Sequence, residues 1–111
     1  MKRSDFESRL GPFGLNLSVY RNACYYAACE QWSLALGPYP AEEIKQAKLA
    51  ISTPSATERA AIVNSFFEAA EVAKTSRIDA ALDGQEFCEA RGEKNITISW
   101  FDGELVVNVM E

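Results

Sequence analysis

The sequence predicts an α+β fold: about four N-terminal helices followed by a C-terminal three-stranded antiparallel β-meander packed on them. Asp102-Gly103 separates two alternating apolar runs, residues 96–101 and 104–110. An Asp-Gly pair so flanked is the strongest short-range hairpin signal, because both turn positions need φ > 0. Ser55-Ala56-Thr57-Glu58 reads as a capping box ahead of Ile62, Val63, Phe66, Phe67, Ala70 and Ala73, which are apolar at helical spacing. Residues 19–36 are mostly apolar and end at Gly37-Pro38, the expected punctuation of a helix C-terminus. Helices first and strands afterwards is the α+β order. The chain is read as one domain over residues 1–111, mainly helical over 1–83 and a meander over 84–111.

Each element follows from local chemistry. Ser4, with Glu7 three residues later, caps a short first helix over residues 4–10, which Gly11-Pro12 ends. Residues 13–17 form an apolar connector. Ser18, or Asn16, caps a second helix running to Leu36. Its apolar residues go nearly all the way round, interrupted chiefly by Arg21, Asn22, Glu30, Gln31 and Ser33. Such a helix is central to its domain, or keeps one face for another chain. Pro40 at a first helical position, with Glu42 and Glu43 in the first turn, opens a third helix to Ile51. Only Ile44, Ala47 and Ile51 make a stripe there, which places it on the surface. Ser52-Thr53-Pro54 breaks it. The fourth helix runs from the capping box to Lys74, its stripe spanning about 140° of arc at 100° per residue. Thr75-Ser76 kinks it or restarts it, with Ser76 capping Arg77-Ile78-Asp79, and Asp83-Gly84 closes the helical half.

In the meander, a two-residue turn pairs Phe101 with Glu104, Trp100 with Leu105, Ile98 with Val107 and Ile96 with Val109. Ile96, Ile98, Trp100, Leu105, Val107 and Val109 then share the buried face. Thr97, Ser99, Phe101, Glu104, Val106 and Asn108 share the wet one, where Phe101 and Val106 are the apolar exceptions. Gly92-Glu93-Lys94-Asn95 turns back to a strand over residues 86–91. Two registers remain open for it, with either Phe87 or Cys88 and Ala90 facing inward.

Composition excludes several classes. The chain has 111 residues, 48% hydrophobic and 24% charged, as a globular protein does and a disordered one does not. At 12.3 kDa it is expected to expose roughly 6,100 Å² folded against roughly 18,000 Å² unfolded, enough burial for a core without metal or disulfide support. No apolar run approaches the ~20 residues of a membrane span. Met1-Lys2-Arg3 has no hydrophobic stretch behind it, so no secretory signal is read and a cytoplasmic location is expected. On that reading the Asn95-Ile96-Thr97 sequon is a coincidence. The net charge of −5 is uneven. Residues 58–111 hold eleven Asp and Glu against five Lys and Arg, whereas residues 1–57 are nearly balanced. That surface repels phosphate, which argues against direct nucleic-acid binding, and attracts a basic partner.

Catalytic chemistry finds little to work with. The absence of histidine removes the commonest general base and metal ligand together. Cys24, Cys29 and Cys88 are odd in number and read as buried thiols acting as small hydrophobes. On the predicted helix Cys24 and Cys29 lie about 140° apart and cannot share one metal or one bond. Glu42 and Glu43 point apart on a helix, and Glu86 and Glu89 fall on opposite faces of a strand, so neither makes a paired acid site. No glycine pattern resembles a phosphate-binding loop. No catalytic residue, cofactor or metal ligand is therefore assigned, and no enzymatic activity is expected.

The expected function is protein–protein interaction by a small acidic module: a stoichiometric inhibitor, an immunity-type or adaptor protein, or a phage-borne anti-defence protein. Its partner would carry a basic surface, and in a sharper variant the acids stand in for nucleic-acid phosphates. The candidate contact residues are Glu86, Glu89, Glu93, Phe101, Asp102, Glu104 and Val106. One alternative is a self-associating structural subunit, a homodimer through the aromatic second helix or a meander edge. The other is a small-molecule site or an enzyme built on Tyr20, Tyr25, Tyr26 and Trp32, a cluster that serves equally as core.

Overall fold

A computed structural model describes residues 1–111, in the order α1 (Arg3–Leu10), a 3₁₀ turn (Gly11–Phe13), β1 (Ser18–Tyr20), β2 (Cys24–Ala28), β3 (Trp32–Gly37), β4 (Gln46–Ile51), α2 (Ala56–Ala69), α3 (Ser76–Ala81), β5 (Phe87–Arg91), β6 (Lys94–Phe101) and β7 (Glu104–Met110). The seven strands form one antiparallel sheet in the order β1-β2-β3-β4-β7-β6-β5. The expectation of four helices and a three-stranded meander is therefore overturned. The chain has three α-helices and a sheet more than twice as wide, and residues 1–83 are not mainly helical.

The expected second helix is in fact three strands. Trp32, Leu34 and Leu36 are buried while Ser33, Ala35 and Gly37 alternate with them, the period of two that a strand imposes. Tyr25 and Ala27 do the same in β2. Because the alternating partners are small or apolar too, the run fits a helical template as well as an extended one. Two tight reversals decide the matter. At the first, Arg21 and Asn22 both take positive φ (52° and 53°), and Ala23 N–H bonds the Tyr20 carbonyl at 3.0 Å. At the second, Cys29 N–H bonds the Trp32 carbonyl at 2.8 Å. The expected third helix is loop followed by β4, in which Ala47, Leu49 and Ile51 point inward and Gln46 and Lys48 outward. Strand β4 is the hinge of the architecture, since it joins β3 on one side and β7 on the other.

The predicted hairpin stands residue for residue: Phe101↔Glu104, Trp100↔Leu105, Ile98↔Val107 and Ile96↔Val109, with φ of 51° at Asp102 and 76° at Gly103. On the third strand Phe87 is the residue that faces inward, and it pairs with Ile98. Helix α2 also forms, though it stops at Ala69 rather than near Lys74. Ser55 Oγ accepts the Glu58 amide at 3.2 Å, as a capping box requires, but the Ser55 amide goes to Thr53 Oγ1 at 3.3 Å and not to the Glu58 carboxylate. Thr75, not Ser76, caps α3 by accepting the Ile78 amide. Ser4 does not cap α1; its amide is taken by Glu42 Oε1 at 3.0 Å.

All three helices lie on one face of the sheet. Phe6 and Leu10 of α1, Ile62, Val63, Phe66 and Phe67 of α2 and Ile78 of α3 join the inward strand residues in a single core of 26 buried residues. Long cations at the covered edge complete it: Lys94 Nζ donates to the carbonyls of Ala70 and Glu71 at 2.8 and 3.2 Å, and Arg91 donates to that of Ala73 at 2.6 Å. The Ala70 carbonyl belongs to the C-cap of α2, where a helix leaves acceptors without partners, and those of Glu71 and Ala73 lie in the segment that follows. The accessible surface is 6168 Å², close to the value expected for a folded chain of this mass. No helix is long and apolar enough to cross a membrane.

Candidate functional site

Covering one face of a seven-stranded sheet leaves the other bare, and that bare face is the candidate site. In an antiparallel sheet the outward residues form rows across the strands. One row runs Ser18, Tyr26, Ala35, Lys48, Asn108, Thr97, Cys88, and the next runs Ala28, Ser33, Ala50, Val106, Ser99. The outward side of β3 is unusual in being small throughout, Ser33, Ala35 and Gly37. It therefore forms the floor of a trough. Tyr26 with Tyr20, their rings 6.0 Å apart, stands on one side, and Gln46 and Lys48 of β4 stand on the other. Two depressions open from this floor, sharing Ala35 and Lys48. One of about 480 Å³ lies toward Cys24, Gly37, Pro38 and Lys45. The other, about 290 Å³, lies toward Tyr26, Ser33, Ala50, Glu104 and Val106.

Lys48 is the electrostatic centre of this face. Of the eleven Lys and Arg side chains, all but Lys2 and Lys48 engage a carboxylate, a carbonyl or an aromatic ring. Lys48 thus carries an exposed charge with no internal partner on the central strand of the sheet. Across the β4–β7 pair it faces Asn108, whose side-chain oxygen is shielded from solvent without a donor.

The candidate contact residues are distributed otherwise than expected. Phe101, 74% exposed, Glu104 and Val106 do share the bare face, and Asp102 lies at their turn. Glu89 does not. It points to the helix-covered side, where Arg91 donates to it twice at 2.9 and 2.6 Å and Arg77 stands 3.6 Å away. Its charge is thus paired with two neighbouring cations at a partly exposed edge. Glu93 occupies the β5–β6 turn, at the end of β6 opposite Asp102, roughly 25 Å away for an eight-residue strand. Glu86 precedes β5 at the far edge, beside a separate shallow hollow with Cys88 and Ser99. The acids are thus dispersed along the rim and do not form one patch.

Tyr25 and Trp32 are buried core residues, while Tyr20 and Tyr26 are exposed on the bare face. Tyr25 Oη donates to the Pro40 carbonyl at 2.8 Å and accepts from Arg3 at 2.8 Å, so the tyrosines do not gather round one pocket. The sequence reading missed Tyr26, Ala35, Lys48 and Ala50 as a set. The signal was present in the alternation Trp32-Ser33-Leu34-Ala35-Leu36 and Gln46-Ala47-Lys48-Leu49.

Three ionisable groups that join the N-terminus to the loop before β4 are committed to structure. Glu42 accepts the Ser4 amide and pairs with Arg3 at 3.0 Å, and these contacts hold its carboxyl below the usual range. Glu43 is held low by the hydrogen bond from the Met1 ammonium, 2.9 Å away. Burial lowers that ammonium's affinity for its proton, but Glu43 and Glu111 outweigh the effect and leave its pKa raised. The three cysteines are unpaired, and contrary to expectation none is fully buried: Cys24 and Cys29 are half-buried and Cys88 is exposed. Partial burial pushes the Cys29 thiol up. No three His, Cys, Asp or Glu side chains converge as metal ligands would.

Comparison with protein-family models, with curated proteins and with solved structures finds no match to this chain.

Proposed function

We propose that the chain is a protein-binding module acting through the bare face of its sheet, as a stoichiometric inhibitor, immunity-type or adaptor protein does. The observation that carries this reading is the composition of that face. A trough of small residues runs beside exposed Tyr20 and Tyr26, with Val106, Met110 and Phe101 beyond Lys48. Aromatic residues and Met are the types enriched in protein interfaces, and small neighbours let a partner approach closely. The β6–β7 side of the face alternates to polar residues as a sheet that merely faces water does, whereas Tyr26, Ala28, Ala35 and Gly37 on its β2–β3 side do not.

The dispersed acids play a lesser part than the sequence suggested. Glu86, Asp102 and Glu104 at the rim, with the net charge of −5, favour the approach of a partner whose flanking surface is basic. The phosphate-imitating variant is not carried forward, since Glu89 is paired with two cations and Glu93 lies at the opposite end. Three unpaired thiols suit the reducing cytoplasm. Self-association competes as a reading because β1 and β5 are free edges.

The test is capture of partners from a lysate of the source organism by tagged wild-type, Ala35→Arg and Ala50→Arg proteins, at low and high salt. Both variants should keep the wild-type melting temperature within a few degrees and lose the captured protein. Retention of the same partner by either Arg variant would overturn the reading, as would a wild-type protein that captures only itself.

A further inference from the structure

We infer that the occupant of this face is an amphipathic α-helix of the partner, laid along β3 with a carboxylate against Lys48 and its N-terminus at the Ser33 end. This rests on the protein-binding reading above and adds the form, charge and direction of the ligand.

The form follows from backbone accounting. Strands β2, β3 and β4, which form the floor of the trough and carry Tyr26 and Lys48 beside it, are each hydrogen-bonded on both sides within the sheet, so this face offers no free backbone group. An extended segment lying there would leave its own amides and carbonyls without partners as water is excluded, at a cost for each. A helix satisfies its backbone internally and needs only a smooth, small-residue floor. Six residues of β3 span roughly 20 Å at about 3.3 Å each, which matches a helix of about 13 residues at 1.5 Å each.

The charge follows from Lys48. It is the one formal charge midway along the trough and has no internal partner, so an apolar stripe laid over it would bury an uncompensated ammonium, whereas a carboxylate would meet it. The same residue opposes a second copy. Lys48 lies on the central strand, and a two-fold axis through the middle of the face would bring the two lysines together.

The direction follows from the ends. Glu30, in the β2–β3 turn, and Glu104, at the start of β7, flank the Ser33 end. Arg21, in the β1–β2 turn, flanks the Gly37 end, where Lys45, just before β4, is already paired with Glu111 at 3.7 Å. A helix carries partial positive charge at its N-terminus and negative charge at its C-terminus. Its favoured orientation is therefore parallel to β3.

The experiment uses lactam-stapled helical peptides of about 14 residues, apolar along one stripe, with Glu, Gln or Lys at the middle of that stripe. Isotope-labelled protein is titrated with each peptide and observed by NMR. The Glu peptide should shift the amides of Ser33, Ala35, Gly37 and Lys48. It should bind about tenfold more tightly than the Gln peptide, the scale of one charge-assisted hydrogen bond, and more tightly still than the Lys peptide. Lys48→Met should remove the preference, and Lys48→Glu should reverse it toward the Lys peptide. A nitroxide at the peptide N-terminus should broaden Glu30 and Glu104, and one at the C-terminus Arg21 and Gln46.

Equal binding of all three peptides on the face would overturn the charge assignment while leaving the protein-binding reading in place. Reversed broadening would overturn the direction in the same way. Peptides that shift nothing on the face, or concentration-dependent shifts there without peptide, would overturn the helix as occupant. The protein-binding reading would then stand or fall on the Ala35→Arg and Ala50→Arg captures.

Discussion

The two faces of the sheet are built from the same strands, yet they differ in nearly every physical respect. The covered face is continuous and branched or aromatic: Trp32, Leu34, Leu36, Leu49, Ile51, Ile96, Ile98, Leu105 and Val107 are all buried under the helices. The bare face alternates with them in small and polar residues, broken by exposed aromatics at its β1–β2 side and by Phe101, Val106 and Met110. Folding energy comes from the first face because apolar area leaves water there, at about 25 cal/mol per Å². The second contributes little to stability, which leaves its sequence free to serve recognition. The difference teaches where to look for function in a chain without paired acids or histidine: on the side of the sheet that folding does not use.

The sharpest way to break this contrast is in the core. Phe66 is fully buried, with ring centroids 5.8 Å from both Phe6 and Phe67, so it ties α1 and α2 together above the sheet. Phe66→Ala should cost about 3–5 kcal/mol. Chemical denaturation should show that loss as a lower midpoint at unchanged slope. A loss under about 1 kcal/mol would mean that the helices do not seal the covered face.

A smaller effect is expected at the margin of the same face. Trp100 is half-buried; its Nε1 donates to the Ala81 carbonyl at 2.9 Å, and Arg59 stacks over its ring at 5.5 Å. Trp100→Phe keeps much of the ring and removes the donor, at an expected cost of about 1–2 kcal/mol. Hydrogen exchange should show the α3 amides opening more readily than in the wild-type protein. Unchanged protection would detach α3 from β6.

On the bare face the prediction is near silence. Lys48→Met should change stability by no more than about 0.5 kcal/mol, the usual bound for surface substitutions away from special features. A clear destabilisation would show that Lys48 is part of the folding machinery, and a clear gain that its unpaired charge carries a standing cost.

The same contrast explains what could be read in the sequence. Strands β6 and β7 were legible because their outward residues, Thr97, Ser99, Glu104 and Asn108, are polar, so the alternation declares its period, and Asp102-Gly103 fixes the register. Strands β2 and β3 were not, because Ala28, Ala35 and Gly37 on their outward side are as compatible with a helix as with a strand. Their first turn also uses Arg21 at positive φ, a residue that gives no turn signal. In β4 the pattern Gln46-Ala47-Lys48-Leu49 alternates plainly, but the preceding Pro40, Glu42 and Glu43 imitate a helix start. The small residues that hid the strands are the ones that form the trough. Concealment of the fold and of the candidate site therefore had one cause. Phe101, Glu104 and Val106 were legible as site residues because they stand on strands whose period was legible.

The smallest expected effect belongs to neither face but to the loop that binds the N-terminal helix to β4. Glu42 accepts the Ser4 amide and pairs with Arg3, and its carboxyl is held below its ordinary range. A group whose pKa is lower folded than unfolded contributes stability above its unfolded pKa and loses it as pH falls through the folded value. This loop should therefore help to define the acid limb of the stability curve. Glu42→Gln should flatten that limb slightly and leave the neutral plateau almost unchanged, because the pair is exposed and screened. Urea melts from neutral pH down through the carboxylate range would measure it. An acid limb identical to that of the wild-type protein would place the proton uptake elsewhere, with Glu43 against the Met1 ammonium the next carboxylate to replace.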